Sequence, residues 1–321
     1  MDKKTRVLNC IDNKPIDKVP MVYWHHFSGE NAHGKTCVAA HKKFYEETGV
    51  DFIKMMCDGF FPMDFGIPKI ETPSDWAHVR PPTLKSSWVL SQADRINWMI
   101  EAIKDEACVY YVMFSSIELL GQSFGYDLCT AHLKSADSRK HMQPALDALG
   151  SFVAEAAAYL IKETGATGML SSMSNNFRYT ADEYRAYIRP QDEKIINATN
   201  AVSDYNIIHL CGYVGVKNNM EVWQDYETAV MSWDQHTDKL PISEARATFK
   251  NCRAIMGGFD NKQGTFFYTA GKDEVKAKAK EYARAGGKTG FILSADCSLT
   301  ENFSYERIRW VGEALEELAI E

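Results

Sequence analysis

Eight short apolar runs recur along the chain: VPMVYW (19–24), DFIKMMC (51–57), CVYYVMF (108–114), ATGMLSS (166–172), YNIIHLC (205–211), TAVMSW (228–233), RAIMGG (253–258) and TGFILSA (289–295). They are nearly continuous rather than alternating, as expected of parallel strands buried on both faces. Between and after them, apolar residues at three- and four-residue spacing predict helices over Lys35–Thr48, Ala93–Glu106, Ser138–Glu163, Ala181–Val202, Val216–Asp225, Ile242–Asn251, Lys272–Ala285 and Tyr305–Leu318. Thr180 and Glu183 are spaced as a capping box, and Gly49, Gly165 and Gly286 stand where helix C-caps should fall. The stretch 58–94, with five prolines, predicts a long loop over one face. Strand and helix alternating eight times predict an α/β fold, a single closed (β/α)8 TIM barrel over residues 1–321. An open doubly wound sheet would carry a glycine-rich phosphate loop after its first strand. Here that strand runs into HHFSGENAHGK, without it.

In such a barrel the chemistry sits at the C-terminal ends of the strands. Those ends read His25–His26, Cys57–Asp58, Ser115–Ser116, Ser172–Asn176, His209 with Cys211, Asp234–Gln235, Asp260, and Asp296–Cys297. A structural barrel has no need of polar groups at every rim position. His209 and Cys211, two residues apart on one strand, share a face. Cys297 ends the last strand, with 85 residues between it and Cys211. One imidazole and two thiolates form a three-ligand zinc set that leaves a coordination position open. Buried thiols and a packed rim histidine are the alternative reading of the same residues. Asp58 and Asp234 are the expected catalytic carboxylates, each suited to being a proton acceptor, a fourth ligand or a helix cap. His25, His26 and Asn175 are expected to orient substrate.

Composition narrows the function. The net charge of −7 and a pI near 5.8 give no basic face for nucleic acid. The opening MDKKTRVLNCIDNKPIDKVP lacks an apolar stretch, and segments such as CVYYVMFSSIELLG fall short of a membrane span, so a cytoplasmic protein that binds no membrane is expected. Its eight cysteines are dispersed without C-x-x-C spacing and are expected as thiols or metal ligands.

NKPIDKVP (13–20), the second strand end with Asp58, HLCG (209–212), GGFD (257–260) and KAKEYARAGGKTGFILSADCSL (278–299) together resemble the uroporphyrinogen decarboxylase superfamily from end to end. The resemblance implies a (β/α)8 barrel. The decarboxylases of that superfamily clamp a polycarboxylate with arginines just after the first strand. In this chain the segment is YWHHFSGE, without arginine. The branch carrying H-x-C…C is the zinc-dependent corrinoid methyltransferases of the methylcobalamin:coenzyme M type. Similarity to that branch implies zinc on His209, Cys211 and Cys297 and methyl transfer between a corrinoid and a substrate, with a thiol acceptor preferred.

The alternatives are an O-demethylase of methyl ethers, a decarboxylase-like enzyme, and a non-catalytic zinc scaffold. No cobalt-ligand motif of the D-x-H-x-x-G type occurs, so the corrinoid (cobalamin) is expected on a carrier protein or free. Phe60, Phe61, Trp76 and Trp88 in the long loop offer a docking surface or, equally, packing on the barrel.

Overall fold

The computed structural model describes residues 1–319. Seven parallel strands form one sheet in chain order: β1 (Phe52–Met55), β2 (Cys108–Phe114), β3 (Gly168–Met173), β4 (Ile207–Leu210), β5 (Thr228–Trp233), β6 (Cys252–Phe259) and β7 (Phe291–Ala295). The sheet curls as in a TIM barrel, but it has seven strands and does not close as the eight-strand expectation requires.

The missing strand is the first apolar run. Residues 20–25 lie beside β7 only through isolated bridges, Met21 to Leu293 and His25 to Leu299. Pro20 has no N–H to give. The Met21 N–H is taken by the Asp51 carboxylate at 2.8 Å rather than by a strand backbone. Arg6 holds that carboxylate at 2.7 Å. One ladder bond on the β1 side is thus replaced by a side chain, while Val22 N–H to Leu293 and Leu293 N–H to Pro20 keep the extended run against β7 as isolated bridges.

Four of the expected helices recur closely, at Gly34–Thr48, Ala136–Thr164, Lys272–Gly286 and Tyr305–Leu318. Gly49 and Gly165 cap two of them in left-handed conformation, with φ of 74° and 72°. The Thr180–Glu183 capping box forms as its spacing predicts. Over Val216–Asp225 only a 3-10 turn, Met220–Trp223, is found. Asn218 and Asn219 bind local backbone with their side chains there, which competes with helix formation. Two helices, Ser116–Phe124 and Tyr126–Lys134, were not anticipated, because the first reads as a continuation of the apolar β2 segment.

One helix, Ala136–Thr164, is long and apolar enough to cross a membrane by length and composition, contrary to the expectation that no segment is. Within the protein, 61% of that apolar window is buried. In the 58–94 stretch Trp76 is fully buried and donates to His132 at 2.8 Å. Trp88 packs on Phe152 and donates to the Phe60 carbonyl. Of the two readings of these aromatics, Trp76 and Trp88 follow the packing one. Exposed apolar side chains gather instead at Tyr213, Val214 and Val216, in the loop after β4.

Candidate metal centre

Register brings His209 between Ser172 of β3 and Ser232 of β5. Its Nδ1 lies 3.0 Å from the Ser232 hydroxyl. Its Nε2 is buried and meets no hydrogen-bond partner of ordinary geometry among the described residues, with the Cys297 thiol beside it. A buried polar nitrogen without a partner is costly, so something is expected to meet it. A Ser232 hydroxyl accepting from Nδ1–H fixes the tautomer that leaves Nε2 with its lone pair outward.

Cys211, one residue past β4, and Cys297, two past β7, complete the group. One ligand atom from each of His209, Cys211 and Cys297 lies within 4.8 Å of the others. Tetrahedral zinc with Zn–S bonds near 2.3 Å sets its sulfurs about 3.8 Å apart, so the set has the right compactness. The two thiols share a proton. Hydrogen bonding to Cys297 and burial push Cys211 well up, while the same hydrogen bond holds Cys297 well below the ordinary thiol value. The donors are soft, convergent and, as two thiolates with neutral imidazole, charge-matched to a dication. They fit zinc.

The loop carrying Cys211 is held from behind. A Cβ on Gly212 would lie 2.3 Å from Asp234 Cβ, so glycine permits the close approach of the two strand ends. Asn218 donates to the Cys211 carbonyl at 3.0 Å and to Asp238 at 3.2 Å. Asn176 exchanges hydrogen bonds with the backbone of Asn219. Burial pushes the Asp238 carboxyl up to about 6.

The other anticipated residues divide. Asp58 receives His26 Nδ1 at 2.7 Å and the Phe27 N–H at 2.8 Å. Burial works to raise its carboxyl, but those contacts hold it below the ordinary range. His26 stays exposed. His25 is buried, packed among Phe27, Phe44 and Tyr305, with Nε2 2.9 Å from the Tyr305 hydroxyl. Asn175 keeps a buried side-chain oxygen without a partner.

Asp234 caps the short helix Gln235–Asp238 through the Thr237 N–H at 2.7 Å. Its other oxygen meets Lys262 at 3.3 Å. With His236 and Asp296 it forms a second group whose ligand atoms also lie within 4.8 Å. His236 Nδ1 is 2.6 Å from Asp296. Burial, then the charge of Asp234 beside it, pushes the Asp296 carboxyl well up.

Sequence reasoning missed Ser232, Asn218 and Lys54. Lys54 is a charged residue inside the apolar run DFIKMMC, a signal that was visible. It is only 5% exposed, with its ammonium 3.7 Å from the centre of the Trp24 ring. Trp24 in turn meets the His209 ring edge-on at 5.9 Å. Burial lowers the Lys54 ammonium to about 8, against the charges of Cys297, Cys211 and Cys57.

The uroporphyrinogen decarboxylase (URO-D) family model matches residues 64–318. The chain belongs to that family. Its fold is similar to a methyltransferase from Methanosarcina mazei, at 16% identity and a TM-score of 0.80, covering 99% of each chain. It is also similar to a B12-independent methionine synthase from Shewanella sp. W3-18-1, solved with selenomethionine, at 14% identity and a TM-score of 0.57. That match covers 95% of this chain and 94% of the other. No curated protein matches the chain. At these identities the likeness concerns the fold.

Proposed function

We propose that this URO-D family member is a zinc-dependent methyltransferase that moves a methyl group between a corrinoid and a thiol. The observation that carries the reading is the buried, unpartnered Nε2 of His209 facing two thiols that share a proton. Zinc on these three donors would supply the charge that turns an entering thiol into a thiolate nucleophile at neutral pH. The chain's own residues then have definite tasks. Ser232 orients His209. Asn218 and Gly212 fix the position of Cys211. Asp58, kept ionised by His26, holds the Phe27 backbone at the rim.

The methyltransferase fold neighbour supports this class of reaction. The methionine synthase neighbour is described as B12-independent, so the corrinoid is the component that most requires assay. A carrier protein would present it at the strand-end face, where Tyr213, Val214 and Val216 expose apolar surface beside Cys211. The reading places the protein in the cytoplasm, where such thiols and carriers are found reduced.

A second reading, O-demethylation of a methoxyarene, is favoured by the aromatic wall of Phe61, Trp88 and Phe114. Decarboxylation of a polycarboxylate lacks its clamp, since YWHHFSGE carries no arginine. Buried Arg95 spends its guanidinium on the carbonyls of Asp58 and Ala32.

The test incubates zinc-loaded protein with methylcobalamin and a panel of thiols, and separately with methoxyarenes and a reduced corrinoid. Demethylation of methylcobalamin that depends on a thiol and on Cys297 supports the first reading. Methyl transfer from an arene with no response to thiols would replace it by the second.

A further inference from the structure

Among the described residues five carboxyl groups are buried: Asp51, Asp192, Asp234, Asp238 and Asp296. Four of them meet a nitrogen donor: Asp51 meets Arg6, Asp234 meets Lys262, Asp238 meets Asn218 and Asp296 meets His236. Asp192 meets only hydroxyls. Its Oδ2 accepts from Tyr184 at 2.6 Å and from Tyr226 at 2.8 Å, and its Oδ1 is buried with no hydrogen-bond partner among those residues. Trp223 closes the cage, donating its Nε1–H to the Tyr184 hydroxyl at 2.9 Å with the two rings edge to face. All three aromatic side chains are buried.

The neighbouring charges are engaged with one another. Arg189, on the same helix as Asp192, gives its guanidinium to Asp225 and Glu193. In the π-helical turn Tyr184–Ile188, Arg185 pairs with Glu221. The long helix Ala136–Thr164, packed against the Asp192 helix, presents Asp147, whose carboxylate takes Gln191 and whose carbonyl takes Lys194. β3 carries no charged residue. Burial pushes the Asp192 carboxyl up to about 7, against the two tyrosine hydroxyls, which work to lower it. A carboxyl so placed is neutral while the cage is closed, and its charged form favours any arrangement that admits water.

The cage joins two parts of the chain. Tyr184 and Asp192 belong to the stretch 184–200, whose helix Arg189–Asn200 rests on the long helix. Trp223 and Tyr226 belong to the connection from β4 to β5, which begins at Cys211. Asn218 and Asn219 hold the front of that connection. Its rear depends on the cage, because the exposed pairs Arg185–Glu221 and Arg189–Asp225 each contribute little. We propose that Asp192, Tyr184, Tyr226 and Trp223 form a proton-locked clasp. With the carboxyl protonated, the rear of the β4–β5 connection is closed on its helix; ionisation releases that rear segment to solvent and loosens the connection that begins at Cys211. The device is independent of the metal reading.

The closed chain binds this proton more tightly than the opened segment, where the carboxyl returns towards its ordinary 3.8. The clasp is therefore strongest below pH 3.8, weakens by up to about tenfold per pH unit above it, and loses nothing further beyond about pH 7. Amide hydrogen exchange of the full chain tests this, read by mass spectrometry as protection factors so that the intrinsic pH dependence of exchange is removed. Between pH 5 and 7 the protection of residues 220–227 should fall at least tenfold and then level off, while that of the helix Lys272–Gly286 stays flat. Asp192→Asn keeps the shape and an acceptor oxygen but cannot ionise, so its protection at pH 8 should match that at pH 5. Tyr226→Phe removes a bond that favours the charged form, so its levelling-off should move to higher pH, a shift that loss of packing alone would not produce. It also decides the matter if the asparagine variant does not fold. Protection of 220–227 that ignores pH in the wild type, the same pH dependence in Asp192→Asn, or an unmoved plateau in Tyr226→Phe would each overturn the proposal.

Discussion

Two clusters at the same end of the sheet are built alike and poised differently. His209, Cys211 and Cys297 form one; Asp234, His236 and Asp296 form the other, and each gathers its ligand atoms within 4.8 Å. In each, two acidic groups lie side by side and one keeps the proton: Cys211 in the first, Asp296 in the second. The carboxylate cluster already has its counter-charge, because Lys262 pairs with Asp234 at 3.3 Å, and its histidine is engaged by Asp296. The thiol cluster has a histidine nitrogen with no partner and a neighbouring ammonium that does not reach it as an ion pair. The carboxylate cluster keeps a counter-charge within the protein, although Asp296 Oδ1 is buried without a hydrogen-bond partner among the described residues; the thiol cluster has no ion-paired cation among them. Proximity of ligand-type side chains therefore does not by itself make a metal site. A soft donor set without an ion-paired cation does.

The sharpest way to break this contrast is to remove one donor from each cluster. Cys297→Ala should reduce bound zinc from about one per chain to under a tenth, measured by elemental analysis after gel filtration. Asp296→Asn should leave it unchanged. Equal losses would erase the distinction.

A second effect concerns pH. Asp238 holds Asn218, and through it the Cys211 loop, with a carboxyl raised from 3.8 to about 6. The folded state binds this proton more tightly than the unfolded chain does. Its contribution is therefore complete below pH 3.8 and is lost as pH rises through about 6. The size is at most about 3 kcal/mol. In chelator-treated protein, denaturant midpoints for Asp238→Asn should lose this slope between pH 4 and 7; an unchanged slope would assign it elsewhere.

Smaller still, Ser232→Ala should weaken zinc 10–100-fold by freeing the His209 ring, read by competition with a chromogenic chelator. Unaltered affinity would mean the hydroxyl does not set the tautomer. Asp234→Ala should cost about 1 kcal/mol in thermal or chemical unfolding through loss of the Thr237 cap, with zinc retained. Zinc loss in that variant would instead make Asp234 a ligand and merge the two clusters.

Much of this was legible in the chain because burial leaves a strong pattern. β2, β4 and β7 appear as apolar runs, and the donors stand at the ends of β4 and β7 as strand periodicity requires. The first run pairs only through isolated bridges for a reason no periodicity carries: the Asp51 carboxylate takes the Met21 N–H. The Ser116–Phe124 helix hid within an apolar segment continuous with β2. Val216–Asp225 has helical spacing, yet asparagine side chains take its backbone. Ser232 depends on register between β4 and β5, a non-local fact. Lys54 was in plain view, but its place beside the site needed the Trp24 contact.

The central claim is a zinc held by His209, Cys211 and Cys297 with one position open to a thiol, and X-ray absorption at the zinc edge tests it most directly. The account predicts two sulfurs near 2.3 Å and one imidazole nitrogen in the resting protein, rising to three sulfurs when 3-mercaptopropionate is added, with close to one proton released per site. A shell closed by a fourth protein ligand and unchanged by any thiol would contradict it.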